Sequence, residues 1–164
     1  MKHINYMDVA KNIMEQLDQG AFLTVKAGDQ LNTMTIGWAT MGIIWSKPIV
    51  MVAVRNSRYT FGIMEKAADF TISFQKNDMD KELTFCGTQS GRNVDKFKEC
   101  RLEPVPAQKT ISPIIRIPGI HFECKIVYKT AMNPAFLDEA YKRQYPQSDF
   151  HTLYFGELLA SYEI

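Results

Sequence analysis

The chain has 164 residues, of which 46% are apolar and 23% charged, and its 19 Lys and Arg against 18 Asp and Glu leave a formal net charge of +1. That apolar content excludes a disordered chain, and the even spread of charge excludes a basic stripe for nucleic acid or a polybasic membrane anchor. The N-terminus mixes charges into every few residues and no apolar stretch is long enough to span a bilayer, so neither a signal peptide nor a membrane helix is expected. Three cysteines, Cys86, Cys100 and Cys124, are an odd count with no close pair, which suits reduced thiols in a cytoplasm. One domain over residues 1–164 is expected.

In chain order, residues 8–19 predict a helix, with Asp8 as its cap, Val9, Ile13 and Leu17 near helical spacing, and Gly20 at its end. Residues 21–26 (AFLTVK), 33–40 (TMTIGWAT) and 49–55 (IVMVAVR) then read as strands. Ser57 offers a cap for a helix over 58–67, and FTISF at 70–74 alternates as a strand. Two short helices are expected at 79–85 and 94–100, separated by a loop at 87–93. Four prolines in 104–118 predict an extended, meandering connection. HFECKIVYKT at 121–130 and HTLYFGELLASY at 151–162 are long strands, with a helical segment at 135–143 between them. Short strands broken by capping helices indicate a mainly β barrel with several short peripheral helices.

Three segments could carry chemistry. In a strand over 32–40, Thr33, Thr35 and Gly37 share one face, and Met34, Ile36 and Trp38 the other. A flat heteroaromatic ligand could lie on the small, polar face, although a plain barrel strand with a buried Trp has the same periodicity. At residues 55–60, Arg55, Asn56, Ser57, Arg58 and Thr60 stand where a strand gives way to a helix. Free N–H groups, hydroxyls and two guanidinium groups make a phosphate site there, and an ordinary N-cap with two solvated arginines reads equally well. The third, CGTQSGRNVDKF at 86–97, has glycines and small hydroxyl residues that permit close approach of a ligand to backbone. It lacks the spacing of a Walker loop or of a G-x-S-x-G elbow, and a polar loop between helices is its plain alternative. His121 and Cys124 are not read as metal ligands, because three residues apart on a strand they face opposite ways.

Together these segments have an order that they lack singly. NTMTIGWATMGIIWSKPIVMVAVRNSRYT, FCGTQSGRNVDKF, and HFECKIVYKT followed by HTLYFGEL resemble the flavin reductase-like FMN-binding split-barrel family in its flavoredoxin branch. The resemblance runs over about residues 21–159, and C-G-[ST]-x-S-G-R-x-x-D-K-F is its most specific string. It implies a Greek-key split β-barrel, a homodimer, and one non-covalent FMN per subunit near the dimer interface. By position, Asn32, Thr33, Met34, Thr35, Trp38, Ala39 and Thr40 would border the isoalloxazine and ribityl chain. Ser57, Arg58 and Thr60, with Arg55 and Asn56 beside them, would hold phosphate or ribityl oxygens. Cys86, Gly87, Ser90 and Lys96 would close the other side.

The chemistry would then belong to the flavin, with no catalytic side chain and no metal. A flavoredoxin-type electron carrier is the leading expectation, fed by NAD(P)H or by another redox protein. An NAD(P)H-dependent flavin reductase and a non-redox flavin-binding barrel are the alternatives. Relatives join the last two matched strands by a short turn, whereas residues 133–148 here form an insertion, expected either to cover the flavin or dimer contact or to be a surface excursion. Many relatives also continue past the strand that ends near Ile164, and the Gly-Asp-His element of NADH-using members is not found.

Overall fold

The computed structural model describes residues 1–164. Ten strands and five helices follow one another along the chain: β1 (Lys2–His3), α1 (Tyr6–Gln16), β2 (Ala21–Ala27), β3 (Gln30–Ile36), β4 (Ala39–Ile44), β5 (Lys47–Arg55), α2 (Tyr59–Met64) and β6 (Asp69–Gln75). Then come α3 (Asp80–Thr88), α4 (Lys96–Glu99), β7 (Pro104–Val105), β8 (Ile114–Ile115), β9 (Gly119–Ala131), a 3-10 turn at Pro134–Phe136, α5 (Glu139–Lys142) and β10 (His151–Glu163).

The main sheet is antiparallel, in the order β3-β2-β6-β9-β10-β5-β4, with β1 added to the far end of β10. It does not close: β3 and β4 are its two edges. Inside it, Leu23, Val25, Met34, Val52, Phe70, Ile72, Phe122 and Tyr154 belong to a core of 18 buried residues. The mainly β, split-barrel architecture with peripheral helices is thus the one expected. The long pair β9–β10 bends through register shifts at Phe155/Gly156 and Leu158/Ala160. Gly156 is required there, since a Cβ would stand 2.6 Å from the Phe70 ring and 2.7 Å from the Cys124 Cβ.

Several boundaries differ from the sequence reading. α1 is capped by Asn5, whose side chain accepts from the Met7 N–H, instead of by Asp8, and it ends at Gln16. Gly20 still closes the turn after it, with φ +100 and its N–H reaching back to the Gln16 and Leu17 carbonyls. TMTIGWAT is not one strand but breaks at Gly37-Trp38, between β3 and β4. Ser57 does not cap α2: its N–H and hydroxyl both donate to the Asp149 carboxylate, at 3.1 and 2.6 Å, and Arg58 takes the cap position without a side-chain bond. Helix α3 extends through Cys86, Gly87 and Thr88, which shortens the loop, and α4 starts only at Lys96 because Asp95 caps it.

The proline-rich connection is tied down by two buried carboxylates. Asp69 accepts from the N–H groups of Ile111 and Ser112 at 2.8 and 2.9 Å. Glu123, fully buried on β9, accepts from the N–H groups of Gln108, Lys109 and Thr110 and from the Tyr162 hydroxyl at 2.6 Å. Backbone donors that proline-broken structure cannot pair in a ladder are satisfied by side chains instead. Hydrogen bonds to a charged group contribute roughly 1.5–3 kcal/mol each when one partner is lost. Glu123→Ala is therefore expected to destabilise the protein by about 3 kcal/mol or more, read as a lower urea midpoint.

His121 is fully buried, with Nδ1 on the Ser73 hydroxyl at 3.0 Å and Nε2 on the Ile117 carbonyl at 3.1 Å, so neither nitrogen is free for a metal. Burial lowers its pKa from 6.5 to about 4. Between those values the unfolded chain binds a proton that the folded chain refuses, so stability falls as pH drops from about 6.5 to about 4. Urea unfolding across that window is expected to show this slope, and His121→Asn to make it shallower.

Candidate functional site

The break at Gly37-Trp38 opens a cleft on the side of the molecule where β3, the start of α2 and the α3–α4 loop converge. One end, about 270 Å3, is lined by residues that include Asn32, Met34, Arg55, Ser57, Arg58, Thr60, Ser90 and Lys96. The other, about 250 Å3, runs along Met34, Thr35, Ile36, Trp38 and Ala53 to His151. Met34, Arg55 and Arg58 line both, so the two hollows form one bent cleft, large enough together for a small-molecule site of roughly 300–1000 Å3.

The first end is cationic. Arg55, Arg58, Arg92 and Lys96 converge there, and none has a carboxylate within ion-pair distance. They are held instead by neutral acceptors. Arg58 donates to the Gly87 carbonyl at 2.7 Å, Arg92 to the Ser57 carbonyl at 3.2 Å, and Lys96 to the Cys86 carbonyl at 2.7 Å. Arg55 donates to the carbonyls of Asp149 and Gln144, both at 3.1 Å. Bonds to carbonyls hold the side chains in place without neutralising them, so the net positive potential stays in the cleft. Burial, with Arg58 nearby, lowers the Lys96 pKa, and burial with Arg55 and Arg58 opposing a further positive charge holds His151 down to about 4. Asp149, spent on Ser57, is the one acidic residue in the lining.

Local sequence explains the convergence. Gly91 lets the α3–α4 loop lie against β3, since a Cβ there would collide with the Asn32 carboxamide and the Tyr59 ring. Asn32 is fixed by donating to the Thr60 hydroxyl at 2.8 Å, which ties β3 to α2. Gly87 packs on Thr35, where a Cβ would stand 3.3 Å from the Thr35 Cβ.

Other expected positions lie outside this lining. Thr33 is fully buried and bonds the Leu23 carbonyl, whereas Thr60 does line the cleft, with its hydroxyl accepting from Asn32. Thr40 is exposed on edge strand β4, and Asn56 accepts from Thr152. Cys86 lies in a separate core cluster with Phe22, Leu83 and Ile115, and burial pushes its thiol up to about 12, so it is no nucleophile. Ala39 lines an adjoining apolar hollow beside Trp38.

Residues that sequence reasoning did not select complete the cleft. Arg92, with its guanidinium 5.5 Å from the Tyr59 ring centre, stood within the matched string but carried no local signal. Asp149 and His151 are brought in by the end of the insertion and by β10, while Tyr145, within the insertion expected to cover the flavin or dimer contact, lines the adjoining apolar hollow. The Tyr145 hydroxyl lies 2.9 Å from His151 Nδ1, and the Trp38 ring centre is 4.7 Å from that of His151. Of the three insertion aromatics, only Tyr145 turns inward; Phe136 and Tyr141 are exposed.

The donor set fits a phosphorylated flavin: guanidinium groups at one end for a phosphate, and Met34, Ile36, Trp38 and Ala53 at the other for a flat ring system. The fold recurs among flavoproteins. Flavoredoxin of Desulfovibrio vulgaris superposes with a TM-score of 0.70 at 21% identity, over 88% of this chain and 69% of that one. An FMN-binding domain of a flavin reductase-like enzyme from Shewanella baltica gives 0.67 at 15%, over 92% and 73%. The NADH:FAD oxidoreductase of Streptomyces globisporus, in complex with NAD and FAD fragments, gives 0.67 at 18%, over 100% and 87%. No helix is long and apolar enough to cross a membrane. Residues 18–163 match the flavin reductase like domain, and the chain belongs to that flavin-binding redox family.

Proposed function

We propose that the chain holds FMN non-covalently in the bent cleft and carries electrons through it, as a flavoredoxin-type protein of a reducing cytoplasm. The observation that carries this reading is the group of four cations without a carboxylate partner beside the Gly91 loop. A dianionic phosphate is the ligand that such a group stabilises most, and Arg58 and Arg92 can offer it paired N–H donors. Flavin held there would supply the redox chemistry, and Trp38 and Met34, which line the cleft, would border its ring. His151, which lines the same cleft, stays neutral at physiological pH because burial holds its pKa down.

Pairing with a second copy is supported by the outer face of β4, β5, β9 and β10. Trp45 and Tyr128 are 59% and 50% exposed, and Tyr128 leads on to Phe155 with ring centres 5.5 Å apart. An apolar face of this kind is otherwise costly in water.

Arg58→Ala combined with Arg92→Ala is expected to weaken FMN binding by about 100-fold or more while changing riboflavin affinity by less than about threefold. Equal losses for both ligands would remove the phosphate assignment. Lys96 is left intact in this test because its buried bond to Cys86 also supports the fold. An NAD(P)H-dependent flavin reductase is the second reading, favoured by the likeness to the NADH:FAD oxidoreductase fold. Stopped-flow absorbance separates the two: the FMN-loaded carrier bleaches slowly with NADH or NADPH, and rapid bleaching would make the protein a reductase.

A further inference from the structure

The cationic end of the cleft already holds an oxyanion, and it belongs to the chain itself. The Asp149 carboxylate accepts from the Ser57 N–H through Oδ1 at 3.1 Å and from the Ser57 hydroxyl through Oδ2 at 2.6 Å. Both residues line the same hollow as Arg55, Arg58, Arg92 and Lys96. Neighbouring N–H and O–H donors that clasp two oxygens of a carboxylate offer the same pair to two oxygens of a phosphate. Asp149 and a phosphate drawn in by the four cations therefore claim the same donors.

Few contacts keep Asp149 there. Its carboxylate has no cation within ion-pair distance, so Ser57 is its one hydrogen-bonding partner. Its main chain is tied by Arg55, which donates to the Asp149 and Gln144 carbonyls. The turn that presents it is not self-supporting, because Ser148 lies at φ +55, a left-handed backbone that serine adopts at a cost.

What can displace it follows from what lies around it. A free inorganic anion exchanges one oxyanion for another at Ser57 and gains only from the cations. A phosphate ester with a flat body also gains along Met34, Ile36 and Trp38 at the other end of the cleft. Occupation by Asp149 lowers the affinity of both, and only the second has a further source of binding to offset the loss.

We propose that Asp149 is a specificity-determining residue: it fills the phosphate position of the empty cleft, turns away free inorganic anions, and yields to a phosphate ester that carries a ring body. This rests on the reading of the cationic end as a phosphate site, and not on which ring system is attached.

The probe is inorganic phosphate, titrated by calorimetry in a zwitterionic buffer of low ionic strength. Asp149→Ala is expected to bind it at least about tenfold more tightly than the wild type, since the competing carboxylate is gone. Adding Ser57→Ala to that variant is expected to abolish the gain, because the freed donors carry it. Asp138→Ala is the control. It removes an equal charge from the same insertion and unties α5, where the Asp138 side chain accepts from the Ala140 N–H at 2.9 Å. Its phosphate affinity is expected to stay within about twofold of the wild type. Riboflavin, which has no phosphate, is expected to bind the wild type and Asp149→Ala within about threefold of each other. Should Asp149→Ala lose the wild-type circular dichroism, Asp149→Asn is read in its place, with a gain of at least about threefold.

No gain on removing the carboxylate, an equal gain in Asp138→Ala, or an equal tightening of riboflavin overturns the proposal. FMN that binds neither protein, with the phosphate gain present, counts against the flavin reading and leaves the role of Asp149 standing. FMN that binds the wild type, with no phosphate gain in Asp149→Ala, leaves the flavin reading and removes this one.

Discussion

The sheet of this protein fails to close at one place, and its functional architecture depends on that failure. β3 and β4 are the two edges of the sheet, yet only Gly37 and Trp38 separate them in the chain. The crossing is held by a backbone bond from the Ala53 N–H to the Trp38 carbonyl at 3.0 Å. Gly37 passes close over the end of α1, where a Cβ would stand 3.2 Å from the Leu17 carbonyl oxygen. A continuous strand through 33–40 would leave no cleft, and Trp38 would be buried with Met34 and Ile36. The break instead leaves the indole 45% exposed, at the junction of the cationic cleft and the apolar hollow.

Electrostatics in the cleft follow from the choice of acceptors. Pairing Arg58, Arg92 or Lys96 with carboxylates would have stabilised the empty protein and cancelled the potential that attracts an anion. Carbonyl oxygens at the ends of α3 and of the β5–α2 turn orient the same side chains at little electrostatic loss. Burial first, and the charges of Arg55 and Arg58 after it, disfavour protonation of His151. Asp149 is kept from neutralising the site by two donors from Ser57, which also anchor the end of the insertion.

Buried carboxylates do the complementary task elsewhere. Asp69 and Glu123 accept the backbone donors of residues 108–112 and pin a proline-broken segment against β6 and β9. The segment thereby gains a defined path with only the two-residue strands β7 and β8 of its own. Arg55 treats the 133–149 insertion in the same manner, but from the cation side, through carbonyl acceptors and the Trp38 and Tyr145 rings.

Much of this was legible in the amino-acid order, because strand alternation, glycine turns and a composite string such as CGTQSGRNVDKF are local properties. They determined the class of fold and the family resemblance, and it was that resemblance which singled out the segments Asn32–Arg58 and Ser90–Lys96 that the fold brings to one cleft. What periodicity could not show was the break in TMTIGWAT, since alternation continues through Gly37 and only the competing pairings of β3 with β2 and β4 with β5 divide it. Nor could it separate Ser57 as a cap from Ser57 as a partner of Asp149, 92 residues away. Tertiary structure alone decided that Cys86 is core, that Tyr145 turns inward while Phe136 stays exposed, and that Arg92 and His151 join the cleft. Those outcomes depend on contacts between residues far apart in sequence, where each side chain's role is set by what the fold brings against it.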